Sequence, residues 1–184
     1  IPSPSPEWRL TGRRGWGEVL RLLLMKLSST RSLAGILEPV FAIRTDEDLG
    51  IGDTEGVRQM IDWCHRHRLS IRQTLPINEL SDDNSPYNAL SSLAIEPATI
   101  AISPRHIPDL PPARFKELAR PELLAELRQG PVNYPGVKAL KRKLLEAAFE
   151  NFLQRHFNPE TERALQFGSF QVENADWLAS YSLF

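Results

Sequence analysis

Apolar positions follow two different spacings along the chain. Trp16, Val19, Leu20, Leu23 and Leu27 recur at helical intervals and predict an amphipathic helix. Ahead of them, residues 1–7 alternate proline with small polar residues and read as an extended leader. Residues 35–43 form a short apolar run, which predicts a buried strand with Pro39 disturbing its pairing. A charged, glycine-containing loop follows at 44–52. Asp53 then stands where a helix N-cap belongs. Val57, Met60, Ile61 and Cys64 make one stripe of a helix that should end near Arg68. Residues 70–77 are a second strand candidate. Strand, helix and strand in succession make a βαβ unit, so the two strands should be parallel.

Beyond residue 96 the pattern changes. Five prolines between 97 and 112 preclude one regular element there. Residues 115–129 read as two short helices broken at Pro121. Val137, Leu140, Leu144, Ala148 and Phe152 mark a strong helix that stops by Pro159. A last helix starts near Thr161, in one or two pieces. The fold class is therefore α/β, with 1–32 as leader and helix, 33–97 as the βαβ unit with its loops, and 98–184 as a Pro-rich connection and helical insertion.

Composition narrows the function classes. The 184 residues hold 22 Lys and Arg against 23 Asp and Glu, a net charge of -1. That balance gives no basic field for nucleic acid or for an anionic membrane. The apolar run at 19–27 is interrupted by Arg21 and Lys26 and is far shorter than the ~20 apolar residues a bilayer requires. One cysteine excludes an internal disulfide framework and a cysteine-rich zinc site and fits a cytoplasmic setting. Proline stands out at 15 residues, where average usage would give roughly nine.

Two parallel strands joined by one helix are not a finished sheet, because such strands are normally covered on both faces. Residues 181–184 continue an apolar helical pattern without a stop signal, and the chain begins at Ile1 rather than Met. Both features suggest part of a larger protein. A complete (β/α)8 barrel would take about 250 residues.

Four segments carry a specific resemblance. Ala34-Gly35-Ile36-Leu37-Glu38-Pro39-Val40-Phe41 with Gly50-Ile51-Gly52-Asp53 resembles the first strand and loop of the 4-α-glucanotransferases, the amylomaltases of glycoside hydrolase family 77. Gln73-Thr74-Leu75-Pro76-Ile77-Asn78-Glu79 resembles their second strand. Asn84-Ser85-Pro86-Tyr87-Asn88-Ala89-Leu90-Ser91-Ser92 resembles the Ser-Pro-Tyr loop after it. Asn174-Ala175-Asp176-Trp177-Leu178, with Tyr181 and Phe184, resembles a later helix. The ordered set, spanning about 33–184, is far more specific than any one segment.

The resemblance implies the N-terminal part of a (β/α)8 TIM barrel with a helical insertion, incomplete as given. It implies transfer of α-1,4-glucan segments between maltooligosaccharides by a retaining double displacement, with no metal or organic cofactor. The nucleophilic Asp, the acid/base Glu and the stabilising Asp are expected beyond Phe184. No catalytic residue is therefore assigned in this chain, which by itself should be inactive. The alternative is a non-catalytic α-glucan-binding or interaction module. A related hydrolase is a third reading.

Tyr87, Ser85 and Asn88 are the substrate-binding candidates. Tyr87 offers an apolar ring with a polar tip to a sugar face, and Ser85 and Asn88 offer donors and acceptors to sugar hydroxyls. The plain alternative is an ordinary turn with Tyr87 packed inward. Residues 81–84 carry no aromatic, so the second glucan site of some relatives is not carried over. Glu47 and Asp48 invite an acid/base role, but their place in the first loop favours a solvated turn. Gly50-Ile51-Gly52 lacks the third glycine of a dinucleotide fingerprint, since position 55 is Glu55. Cys64, His65 and His67 cannot converge on one metal from successive helical positions: Cys64 belongs to the core and the histidines to the surface. Lys138, Lys141, Arg142 and Lys143 read as the wet side of their helix.

Overall fold

In the computed structural model residues 35–184 form one compact unit. The described residues are 32–157 and 161–183. The helix expected at 16–27 lies outside them.

Strand β1 (Gly35–Leu37) and strand β2 (Ile71–Gln73) pair in parallel, Gly35 opposite Ile71 and Leu37 opposite Gln73. The βαβ expectation holds, but each strand is three residues long. Pro39 has no N–H to continue the ladder, and Val40–Ala42 winds instead into a 3-10 turn. The strands are also not buried: Leu37 is 59% and Ile71 41% exposed. Among the described residues nothing covers those faces fully.

Helix α1 (Thr54–Arg66) starts where the Asp53 carboxylate accepts the N–H groups of Glu55 and Gly56 at 3.0 and 3.2 Å. The N-cap expectation is met. Its apolar stripe is not uniformly buried: Cys64 is enclosed, whereas Ile61 is 52% exposed. Helix α1 meets the 40–43 turn through Gly56, where a Cβ would stand 2.6 Å from the Ile43 carbonyl oxygen.

A 3-10 turn (Pro97–Thr99) leads to α2 (Pro112–Leu118), α3 (Pro121–Leu127) and α4 (Tyr134–Phe152). The break at Pro121 is as expected, since proline is favoured at a helix start and obstructs continuation from before. A π turn (Leu153–Phe157), α5 (Glu162–Glu173) and α6 (Ala175–Tyr181) complete the described chain. The last helical stretch is indeed in two pieces. No described helix is long and apolar enough to cross a membrane.

The core sits in the helical half. Val137, Leu140, Leu144, Ala147 and Ala148 of α4 pack with Leu49, Ile51, Ala98, Ile102, Leu110, Ala119 and Leu127. The strands contribute nothing to it. The loop after β1 does, because Leu49 and Ile51 are 2% and 0% exposed.

Candidate functional site

Two charged residues placed in solvent by the sequence pattern are buried. Asp48 is 1% exposed. Its carboxylate accepts two bonds from Arg44 at 2.8 and 3.0 Å, and the N–H groups of Thr45 and Gly50 at 2.9 and 2.8 Å. Its carbonyl accepts two bonds from Arg128. Burial pushes this carboxyl up, but the Arg44 guanidinium and the two N–H groups outweigh it and hold it below the usual carboxylate range. The loop is solvated at Glu47 and not at Asp48.

Lys141 is the second correction. It is 1% exposed, with its ammonium donating to the carbonyls of Ala98 and Ile100 at 2.6 and 2.7 Å. It lies inside, between α4 and the 98–100 backbone, while Arg142 and Lys143 stay exposed.

The other buried carboxylates carry structural bonds. Asp53 caps α1. Glu55 takes Arg58, Gln59 and Arg105, and chiefly the Arg58 bond holds it well below its ordinary value. Asp109 takes Arg163 at 2.8 Å. Glu96 accepts backbone N–H groups from Leu80 and Ala98. A carboxylate bonded through both oxygens, as Glu55 and Glu96 are, is poorly placed to trade protons with a substrate.

The candidate binding residues occupy the tip of an irregular antiparallel excursion from β2. Bridges pair Asn78 with Ile95 and Leu80 with Ala89. The tip is organised by Asp83, which the sequence reading did not single out. Its carboxylate accepts the Ser81 hydroxyl at 2.9 Å, the Ser85 N–H at 3.0 Å and the Asn88 amide at 3.1 Å. These bonds hold the Asp83 carboxyl below its ordinary value, the Ser85 N–H first among them. The signal was present, since Asp ahead of Asn-Ser-Pro favours side-chain-to-backbone turns. Asn84 adopts a left-handed conformation at φ 54°.

The structure assigns different local tasks to the three candidates. The Ser85 hydroxyl accepts the Tyr87 N–H at 3.3 Å, and the Ser85 carbonyl accepts the Asn88 N–H at 3.0 Å. The Asn88 amide also donates to the Ser81 hydroxyl at 2.8 Å. Ser85 and Asn88 thus knit the turn. Tyr87 is 76% exposed, so it is not packed inward as an ordinary turn residue would be.

At the foot of the same loop, Glu79 accepts a hydrogen bond from the Tyr181 hydroxyl of α6. Burial and this carboxylate push the Tyr181 phenol up to about 12. Two distant segments of the resemblance, 73–79 and 174–184, therefore meet. A cleft of about 620 Å³ opens there, bordered by Glu79, Leu90, Arg142 and Tyr181.

Comparisons with known proteins point to one family. The sequence profile of the 4-alpha-glucanotransferases, glycoside hydrolase family 77, matches residues 38–184. A 4-alpha-glucanotransferase of Chlamydia caviae is 32% identical over 153 residues, covering 82% of this chain and 27% of the relative. The 4-alpha-glucanotransferase DPE2 of Oryza sativa is 29% identical, covering 82% of this chain and 16% of its own length. An amylomaltase from Streptococcus agalactiae, solved in complex with acarbose, superposes with a TM-score of 0.56 at 22% identity, over 82% of this chain and 28% of that one. That last likeness is one of fold. The chain spans little more than a quarter of the length of the first of these relatives. With the profile covering everything from Glu38, directly after β1, through α6, the chain belongs to the 4-alpha-glucanotransferase family.

Proposed function

We propose that this chain forms part of an enzyme that transfers α-1,4-glucan segments between maltooligosaccharides. In this reading β1 and β2 are the first strands of a (β/α)8 barrel, whose active face gathers the loops at the strand ends. Loops 44–53 and 78–92 lie on that face. The observation that carries the reading is Tyr87: a large ring, 76% exposed, at the tip of a turn fixed by Asp83, within the segment matched by the family.

Tyr87 lays its ring along a glucose face, while the polar edges of Ser85 and Asn88 meet hydroxyls beside it. The chemistry is a retaining double displacement. A carboxylate attacks the anomeric carbon as a carboxylic acid protonates the departing sugar oxygen. The hydroxyl of an acceptor glucan then attacks the same carbon, the bond to the first carboxylate breaks to release it, and the hydroxyl proton passes to the carboxylate left by the acid. No carboxylate among the described residues is given either role, which in this reading falls to the rest of the enzyme. The acceptor must outcompete about 55 M water, which requires orientation in a site that excludes it. Soluble glucans as substrates and a single buried thiol at Cys64 suit a cytoplasmic location.

The test is disproportionation of maltotriose by the protein expressed from its complete reading frame. Glucose together with longer maltooligosaccharides, at a constant number of reducing ends, is the expected result. A net gain of reducing ends would show hydrolysis instead. A folded protein that leaves maltotriose unchanged but binds it would favour a glucan-binding module.

A further inference from the structure

The loop that presents Tyr87 is closed at its stem by Glu96. This residue is 2% exposed. One carboxylate oxygen accepts the Ala98 N–H at 3.0 Å, which caps the Pro97–Thr99 turn. The other reaches across sixteen residues to accept the Leu80 N–H at 2.9 Å. The Glu96 N–H donates to the Ile77 carbonyl at 3.0 Å. Lys138 of α4 stands 3.7 Å from the oxygen that holds Leu80.

Capping alone does not require this side chain. A Ser or Asn would accept the Ala98 N–H as well, with no charge to bury. A carboxylate is rarely enclosed unless it is paired, and here the pairing that a shorter cap could not supply is the bond to Leu80. That bond sits at a junction. Leu80 bridges to Ala89, the Glu79 carbonyl accepts the Leu90 N–H at 2.8 Å, and the Ser81 N–H donates to the Asn88 carbonyl at 3.1 Å. Fixing Leu80 thus fixes both arms that run into the 81–88 turn. Without the carboxylate, the N–H of Leu80, itself 8% exposed, has no acceptor unless the arm shifts toward water.

We propose that Glu96 is a positioning residue for the glucan contact made by Tyr87, holding the stem of the 78–96 loop so that the ring is presented in one pose. The proposal rests on the reading that Tyr87 meets the glucan. Glu96 touches no sugar and acts only through the loop.

The test uses the protein from its complete reading frame, with Glu96→Gln, Tyr87→Ala and the double variant, each assayed on maltotriose. Glutamine keeps the size and one acceptor but cannot accept both N–H groups. The expected result is a KM raised about tenfold with kcat held within about twofold, the pattern of lost uniform binding. In the Tyr87→Ala background Glu96→Gln should raise KM no further, although its effect on thermal stability persists. Additive effects on KM would show that Glu96 does not work through Tyr87 and would overturn the proposal. Should Glu96→Gln not fold, hydrogen exchange on the unaltered protein decides. Protection of the Leu80 amide that increases with maltotriose supports the proposal; open-loop exchange indifferent to maltotriose overturns it. If the unaltered enzyme leaves maltotriose untouched, the transfer reading fails and this one falls with it. If it transfers and Tyr87→Ala raises KM while Glu96→Gln does not, only the role of Glu96 is lost.

Discussion

Replacing Lys141 by Met should destabilise the protein, and by an amount that grows as the solution becomes alkaline. The ammonium fills a site 1% exposed and donates to the carbonyls of Ala98 and Ile100. Methionine nearly matches the volume but leaves both carbonyls without that donor, at about 1–3 kcal/mol each. Against this stands relief from burying a charge. Burial pushes the Lys141 ammonium down to about 8 from 10.5, opposed by the fields of Asp53, Asp48 and Glu96. The sign follows from proton counting. Between those two values the unfolded lysine holds its proton and the folded one does not, so stability rises with pH. Integrating that difference gives a gain of about 2 kcal/mol from about pH 7.5 to about pH 9.5. The variant lacks this gain, so the gap between the two proteins should widen over that range. Urea denaturation of both proteins at each pH measures it, and groups common to both cancel. A gap that stays constant or narrows would refute the reasoning, as it would mean that the ammonium is stabilised where it sits.

Tyr87→Ala should raise KM for maltotriose roughly tenfold with little change in stability, because the ring contacts solvent and the turn is held by other groups; initial rates and a melting curve check both halves. Asp48→Asn should cost about 2–4 kcal/mol near neutrality, since two N–H groups and the Arg44 fork lose a charged acceptor. The folded value of Asp48 is depressed, so its contribution is complete above the unfolded value and disappears as pH falls through the folded one. The difference from the unaltered protein in acid denaturation should shrink accordingly. Gly52→Ala should prevent normal packing of the first loop, because the new Cβ would lie 2.1 Å from the Val40 carbonyl oxygen and 2.7 Å from the Ile43 nitrogen; soluble yield and melting temperature report it.

Local rules reached some elements without tertiary help. Asp53 caps α1 because a carboxylate before a helix satisfies orphan N–H groups wherever the helix lies. Pro121 starts α3 because proline lacks the N–H that a continuing helix needs. The parallel pairing of β1 and β2 follows from the connection between them. The Ser-Pro-Tyr turn was legible as a motif, and Tyr87 as the residue to watch within it. By itself, then, the sequence determined the order of elements, the family and the candidate turn.

Tertiary contacts decided the rest. Lys141 has basic neighbours in sequence, yet it stands four residues after Val137 and three before Leu144, on the apolar stripe of α4; what spacing leaves open is its partners, which the Ala98 and Ile100 carbonyls supply. Asp48 looks like any charged loop residue until Arg44 and Arg128 close on it. Glu96 lies 16 residues from Leu80, and Tyr181 lies 102 residues from Glu79, so neither partnership has a periodic trace. A side chain's own pattern reports the face it prefers; whether a charge can be buried depends on partners brought from elsewhere in the chain. That dependence is why the sequence located the turn carrying Tyr87, while only the folded chain showed what holds it in place.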